Sequence, residues 1–145
     1  MKQLLYLKDD QLKDLIEKLF ISYRETFSDS KKILSKYRIG LAHQKVIHLI
    51  SMYEGISISE LLKRLKVTKQ SLNRVLKDLS KKNFVIAKKG EIDSRNKHLF
   101  LSKNGKKIAD EIFAKQKKRI YQALKSSDSQ AVINFKEILE KIVNG

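Results

Sequence analysis

The stretch SISELLKRLKVTKQSLNRVLKDLSKKNFVIAKKGEIDSRNKHLFLSKNG, Ser57–Gly105, decides the fold. Its apolar residues first come in helical steps: Leu61, Leu62 and Leu65, then, beyond Lys66-Val67, Leu72, Val75, Leu76 and Leu79. Steps of three and four put each set on one helix face, and the short gap between them leaves room for a turn only. Ser57 and Glu60 have the S-x-x-E spacing of a capping box, and Thr68 stands where a hydroxyl would cap the second helix, which runs to about Lys82. Then the pattern changes. Asn83 tolerates a left-handed turn, Phe84 to Lys88 reads as a strand, Lys89 to Asn96 as a polar tip containing Gly90, and Lys97 to Leu101 as the returning strand. The order is helix, turn, helix, hairpin: a helix-turn-helix with a wing.

Charge is concentrated in the same place. Glu60 to Lys107 carries 15 Lys/Arg against 4 Asp/Glu, a surplus of 11, while the other 97 residues supply only 5 of the net +16. Together with a pI near 10, this predicts a polyanionic partner, because Lys and Arg release condensed counterions from a phosphate backbone. The bland alternative, a Lys-rich surface that only keeps the chain soluble, does not account for the clustering. A helix pair that presents one helix beside a basic hairpin is a shape for gripping double-stranded DNA.

Helical patterns flank this stretch on both sides. Leu12, Leu15, Ile16, Leu19, Phe20, Tyr23 and Phe27 form one apolar stripe from Gln11 to Phe27, with Asp9 or Asp10 as the expected N-cap. Ser28-Asp29-Ser30 breaks it, and Lys31 to Gly40 reads as a short helical or irregular connection. A helix over Ala42 to Tyr53 turns Val46, Ile47, Ile50 and Tyr53 one way and ends at Glu54-Gly55, with Gly55 suited to a left-handed C′ position. Ile56-Ser57-Ile58 reads as a very short strand. Ser102 is the expected cap of a helix carrying Ile108, Ile112, Phe113, Ile120 and Leu124. Ser127 and Gln130 have capping-box spacing ahead of a last helix with Val132, Phe135, Ile138, Leu139, Ile142 and Val143.

The 145 residues, 41% hydrophobic, suffice for one packed domain. The longest apolar runs, such as Phe84 to Ala87, fall far short of the roughly 20 residues that cross a bilayer. Met1 to Leu7 runs straight into Lys8-Asp9-Asp10 without the pattern of a secretory leader, so a cytoplasmic location without membrane association is expected. With no cysteine, disulfides and thiolate metal sites are excluded. His43 and His48, five apart, do not share a helix face, and His98 stands alone, so packed or exposed histidines are expected rather than a metal site. No G-x-S-x-G, phosphate loop or paired-carboxylate arrangement points to an enzyme, and no cofactor is expected.

The segment Gly40 to Gly105 resembles the winged-helix core of the MarR family of bacterial transcription regulators. Asp93-x-Arg95 followed by Leu101-Ser102-x-x-Gly105 is similar to that family's wing tip and the start of its next helix. Ile58-Ser59-Glu60-Leu61-Leu62 and Leu65-x-Val67-Thr68 are similar to its helix-turn-helix entry. The chain has Asn83 where members often have glycine, Ala87 where they often have a basic residue, and no wing proline. The resemblance implies one domain over residues 1–145, mainly α with a small β-hairpin wing. Within it, 40–105 would be the winged-helix lobe, and 1–39 with 106–145 a helical dimerisation region. It also implies a homodimer on a pseudo-palindromic operator, a repressor, with a small aromatic ligand as one means of release. The rival to the dimer is a monomeric bundle. The rivals to operator reading are a largely non-specific architectural, nucleoid-type DNA-binding protein and an RNA-binding or protein-docking winged helix.

An α-helix fits the major groove, and the helix from Thr68 is the candidate. Thr68, Lys69, Gln70, Ser71, Asn73, Arg74 and Lys77 are the expected contacts, with Gln70 and Asn73 able to bind adenine and Lys69 and Arg74 guanine or phosphate. In the wing, Arg95 is expected to enter the minor groove and Asp93 to hold it by a charge-assisted hydrogen bond. Lys88, Lys89 and Lys97 would add phosphate contacts. Taken singly, these residues also fit a solvated helix face and an ordinary turn ion pair.

Overall fold

The computed structural model describes residues 7–90 and 96–145. Along these run α1 (Asp9–Ser28), α2 (Lys31–Lys36), α3 (Leu41–Met52), β1 (Ile56–Ser57), α4 (Ile58–Leu65) and α5 (Lys69–Lys81). They are followed by β2 (Val85–Lys89), β3 (Lys97–Leu101), α6 (Lys103–Lys125) and α7 (Ser129–Asn144). The fold is mainly α with a small antiparallel sheet ordered β1-β3-β2. The chain divides into two units, Ser30–Phe113 and a second made of the described residues up to Asp29 together with Ala114–Gly145.

In the unit Ser30–Phe113 the helical and strand periods meet on one core. Val46, Ile47 and Ile50 of α3, Leu61 of α4, and Leu72, Leu76 and Leu79 of α5 are buried with Val85, Leu99 and Leu101 of the hairpin. Leu62 and Leu65, expected inside, are only partly buried. The core reaches past the winged-helix motif at both ends, taking in Leu34 and Ile39 before it and Ile108 and Ile112 after it. The short strand pairs Ile56 with Leu99 and Ser57 with His98. This makes a third strand of the hairpin and anchors the entry to α4.

The sequence Leu101-Ser102-x-x-Gly105 has a clear packing reason. The Gly105 N–H donates to Ser102 Oγ at 3.0 Å, and Ser102 Oγ–H donates to the Asn83 carbonyl at 2.5 Å. The Ser102 N–H bonds the Phe84 carbonyl at 3.0 Å. The start of α6 is thereby clasped to the base of the wing, so closely that a Cβ on Gly105 would stand 2.0 Å from the Phe84 carbonyl oxygen. Asn83 takes the left-handed conformation expected of it, with φ 63°.

The unit built from α1, the distal part of α6 and α7 has a different character. No residue of α1 or α7 is buried. Phe20 is 58% exposed and Ile138 52%, and Leu15, Ile16, Ile120, Phe135 and Ile142 are exposed as well. Its clearest polar tie is Arg119, whose Nε and Nη2 donate to the Asp29 carboxylate at 2.5 and 3.0 Å. This hydrogen bond, aided by the guanidinium charge and opposed by partial burial, holds the Asp29 carboxyl below its ordinary range.

Several local expectations need correction. Asp9 and Asp10 do not cap α1: Lys8 is the N-cap, and both acids lie in the first turn, where negative charge favours the helix dipole. Tyr53 is not on the inner face of α3 but is its exposed C-cap. Gly55 does have φ +87°, but two residues beyond that cap, where the chain turns into β1. The cap of α7 is Asp128, whose side chain accepts from the Ala131 N–H, rather than Ser127, whose hydroxyl bonds back to the Ala123 carbonyl. A carboxylate is the better acceptor at a helix start.

Candidate nucleic-acid interface

Two caps and one left-handed residue set the geometry of α4 and α5. Ser57 Oγ accepts from the Glu60 N–H at 3.1 Å, starting α4, while the Glu60 carboxylate faces Arg64 at 3.2 Å. Lys66 ends α4 at φ 53°, ψ 44°, and its N–H closes on the Leu62 carbonyl at 2.8 Å. That conformation ends α4 and lets the chain turn into α5 within three residues, Lys66 to Thr68. Thr68 Oγ1 then accepts from the Ser71 N–H at 3.1 Å, and its hydroxyl donates to Ser71 Oγ at 2.9 Å.

With Leu72, Leu76 and Leu79 buried, α5 has no freedom about which face it shows. Lys69, Gln70, Ser71, Asn73, Arg74 and Lys77 are all exposed, as is Thr68 at its start. Among the described residues, none of Lys69, Arg74 and Lys77 is held in an ion pair. The helix thus offers amide, hydroxyl and cationic groups on one outward surface. Beneath its first turns is an apolar hollow of about 360 Å³, lined in part by Leu41, Val46, Val67, Leu72 and Val75.

In the wing, Ala87 pairs with Leu99, Lys88 with His98, and Lys89 with Lys97. The Gly90 N–H donates to the Asn96 carbonyl at 2.8 Å, closing the described part of the ladder. Lys88 Nζ lies 4.8 Å from the centroid of the Phe100 ring. Lys89 and Lys97 are exposed and directly opposite each other, an arrangement of like charges that costs stability until an anion comes between them. Asp93 and Arg95 lie outside the described residues.

Two histidines make three contacts beyond those expected from the sequence. His98 Nδ1 lies 2.8 Å from the Gly55 carbonyl, an acceptor only, so this nitrogen carries the proton and ties the wing to the turn before β1. His43 joins Gly40 in its own turn and Asp78 on α5. The Asp78 contact joins residues 35 apart and has no local signal. The Gly40 contact has one, since Gly40 and His43 have the N-cap to N3 spacing of a capping box.

Comparisons with known proteins agree with this geometry. Residues 42–95 match the model of the MarR family. The chain is 37% identical over 141 residues to the HTH-type transcriptional regulator PetP of Rhodobacter capsulatus, covering 97% of this chain and 85% of that one. It is also similar in fold to the SlyA-like transcription regulator of Listeria monocytogenes, with a TM-score of 0.73 at 20% identity over 99% of this chain and 89% of that one. Streptococcus pneumoniae FabT, solved in complex with DNA, superposes with a TM-score of 0.74 at 19% identity, covering 92% of this chain and 95% of that one.

Proposed function

The chain belongs to the MarR family of DNA-binding transcription regulators, a class without enzymatic activity, and from that premise we propose that it is a homodimeric, sequence-specific reader of double-stranded DNA that acts as a repressor in the cytoplasm. One observation carries the proposal. The apolar face of α5 is committed to the core, so its opposite face, bearing Lys69, Gln70, Ser71, Asn73, Arg74 and Lys77, is presented outward with its cations unpaired among the described residues. Gln70 and Asn73 are the base readers, Lys69 and Arg74 contact guanine or phosphate, and Thr68 and Lys77 contact the backbone. Lys88, Lys89 and Lys97 hold the flanking phosphates. The Asp93-x-Arg95 pair works at the wing tip, with Arg95 in the minor groove and Asp93 bracing it.

Residues 40–105 serve as the DNA-binding lobe, its core completed by Leu34, Ile39, Ile108 and Ile112, and the rest of 1–39 and 106–145 as the dimerisation region. The apolar side chains exposed along α1, α6 and α7 support a partner helix surface, and a second copy supplies one of matching chemistry. Two α5 helices would then lie about 34–36 Å apart, on half-sites one helical turn from each other. A small aromatic ligand relieves repression by changing that spacing. The apolar hollow of about 360 Å³ beneath α5 supports a small apolar ligand.

The net charge of +16 favours one other reading, a largely non-specific architectural DNA-binding protein. Competition binding at fixed salt separates the two. An operator reader prefers its site over random duplex by a factor of roughly 10³ or more, and a smaller ratio supports the coating protein. Gln70→Ala then relaxes preference at particular base pairs; an equal loss on every sequence would assign that side chain to phosphate.

A further inference from the structure

The start of α3 and the distal half of α5 are joined by a directional polar relay. The Gly40 N–H donates to His43 Nδ1 at 3.1 Å, and His43 Nε2 lies 2.8 Å from Asp78 Oδ2. A backbone N–H can only donate, so Nδ1 must present its lone pair, and Nε2 must carry the hydrogen that the carboxylate accepts. The ring in this geometry is therefore a neutral imidazole in its Nε2–H tautomer. The other carboxylate oxygen of Asp78 faces Lys82 Nζ at 3.5 Å. His43 thereby satisfies the backbone N–H of the N-cap glycine of α3.

Asp78 is the acidic residue of α5, one position from Lys77 on the outward face. Left to itself, a carboxylate there would repel the phosphate backbone. The apolar packing of Leu72, Leu76 and Leu79 sets which face α5 shows, and a directional polar contact at Asp78 adds to it a fixed point against the remaining small rotations about the helix axis. One residue is 100° of turn, so a modest rotation moves Gln70, Asn73 and Arg74 off their base edges. A charge-assisted hydrogen bond to a fixed point on α3 resists that rotation and turns the carboxylate away from DNA. Burial alone would raise the Asp78 carboxyl, but the hydrogen bond from His43 and the charge of Lys82 outweigh it and hold the group below its ordinary range.

We propose that His43 is a positioning residue for DNA recognition: through Gly40 and Asp78 it locks the rotation of α5 and with it the base-reading side chains. This rests on the reading of α5 as the DNA-contacting helix. The test uses the full-length protein, a duplex recovered by the wild-type chain from genomic fragments, and a scrambled duplex of the same composition. His43→Ala is expected to lower the ratio of recovered to scrambled affinity about tenfold. His43→Gln, whose carboxamide supplies one acceptor and one donor, is expected to keep the ratio within about threefold of wild type. Nitrogen NMR of the wild-type ring is expected to show Nδ1 unprotonated and Nε2 protonated.

An unchanged ratio in His43→Ala, an equal loss in both variants, or a protonated Nδ1 would each overturn the proposal. If His43→Ala fails to fold, the His43→Gln ratio and the wild-type spectrum decide by the same criteria. If the wild-type protein prefers no duplex, the operator reading itself fails and the proposal with it. If wild type discriminates and Gln70→Ala relaxes that preference while His43→Ala does not, only the positioning role is lost.

Discussion

The unit Ser30–Phe113 and the unit of the terminal helices are built from similar amounts of amphipathic helix, yet they treat their apolar faces in opposite ways. In the first, Ile47, Ile50, Leu61, Leu72 and Leu79 are sealed beneath helix and hairpin. In the second, the apolar stripes of α1 and α7 bury nothing fully within the chain. Amphipathicity alone therefore does not say where a helix finds its cover. The first unit closes by itself and can afford a polar outward face on α5, whereas the second leaves its apolar stripes exposed, the surface on which the proposed dimer rests.

The largest expected effect is on the self-closed unit. Gly105→Ala drives a methyl into the Phe84 carbonyl, and this backbone cannot yield without unclasping α6 from the wing. A loss of several kcal/mol is expected, comparable to the roughly 2–5 kcal/mol for emptying the site of a buried leucine such as Leu79. Chemical denaturation would measure it, and the loss should not depend on protein concentration. A change below about 1 kcal/mol would mean that the clasp is softer than it looks.

The next effect belongs to the other unit. Ile138→Asp puts a charge on an exposed apolar stripe, so it should leave the fold of Ser30–Phe113 intact and convert the proposed dimer to monomer in sedimentation. An unaltered dimer would move the interface off α7. A smaller effect is expected from Thr68→Ala, which removes the cap of α5 at a cost of about 1 kcal/mol and frays the turn that carries Lys69 and Gln70. Thermal unfolding should fall by a few degrees and DNA affinity should weaken. Affinity unchanged despite the lower melting point would take the first turn of α5 out of the contact.

The smallest effect is the pH dependence of Asp29. Its carboxyl is held below the ordinary range by Arg119, so the pair stabilises the folded state above the unfolded-state pKa, near 4. That stability is lost as pH falls through the folded-state value. Thermal melts from pH 6 to 3 should decline less steeply in Asp29→Asn than in wild type, and identical slopes would show the pair to be energetically silent.

Much of this is legible in the chain itself. The helical steps of Leu61 to Leu79, the Thr68 cap, the left-handed Asn83 and the Lys97 to Leu101 strand all follow from local rules, and each occurs as read. Local rules failed where two candidates competed for one job, as with Asp128 against Ser127, or where the acids of the first turn resembled a cap, as with Asp9 and Asp10. Lys66 falls in the expected turn, but its left-handed geometry has no sequence signature in a lysine. The candidate site is legible as a list of exposed side chains on one face of α5, while its wing-tip part, Asp93 and Arg95, lies outside the described residues. The relay from Gly40 through His43 to Asp78 is not legible, because its link from His43 to Asp78 joins residues 35 apart, brought together only by tertiary packing.

The most direct test of the account is selection of bound fragments from random double-stranded DNA by the full-length protein at fixed salt. The account predicts enrichment of one sequence in two inverted copies, with centres about 10–10.5 base pairs apart or a multiple of that. Fragments bound without enrichment, or single half-sites with no inverted partner, would contradict it.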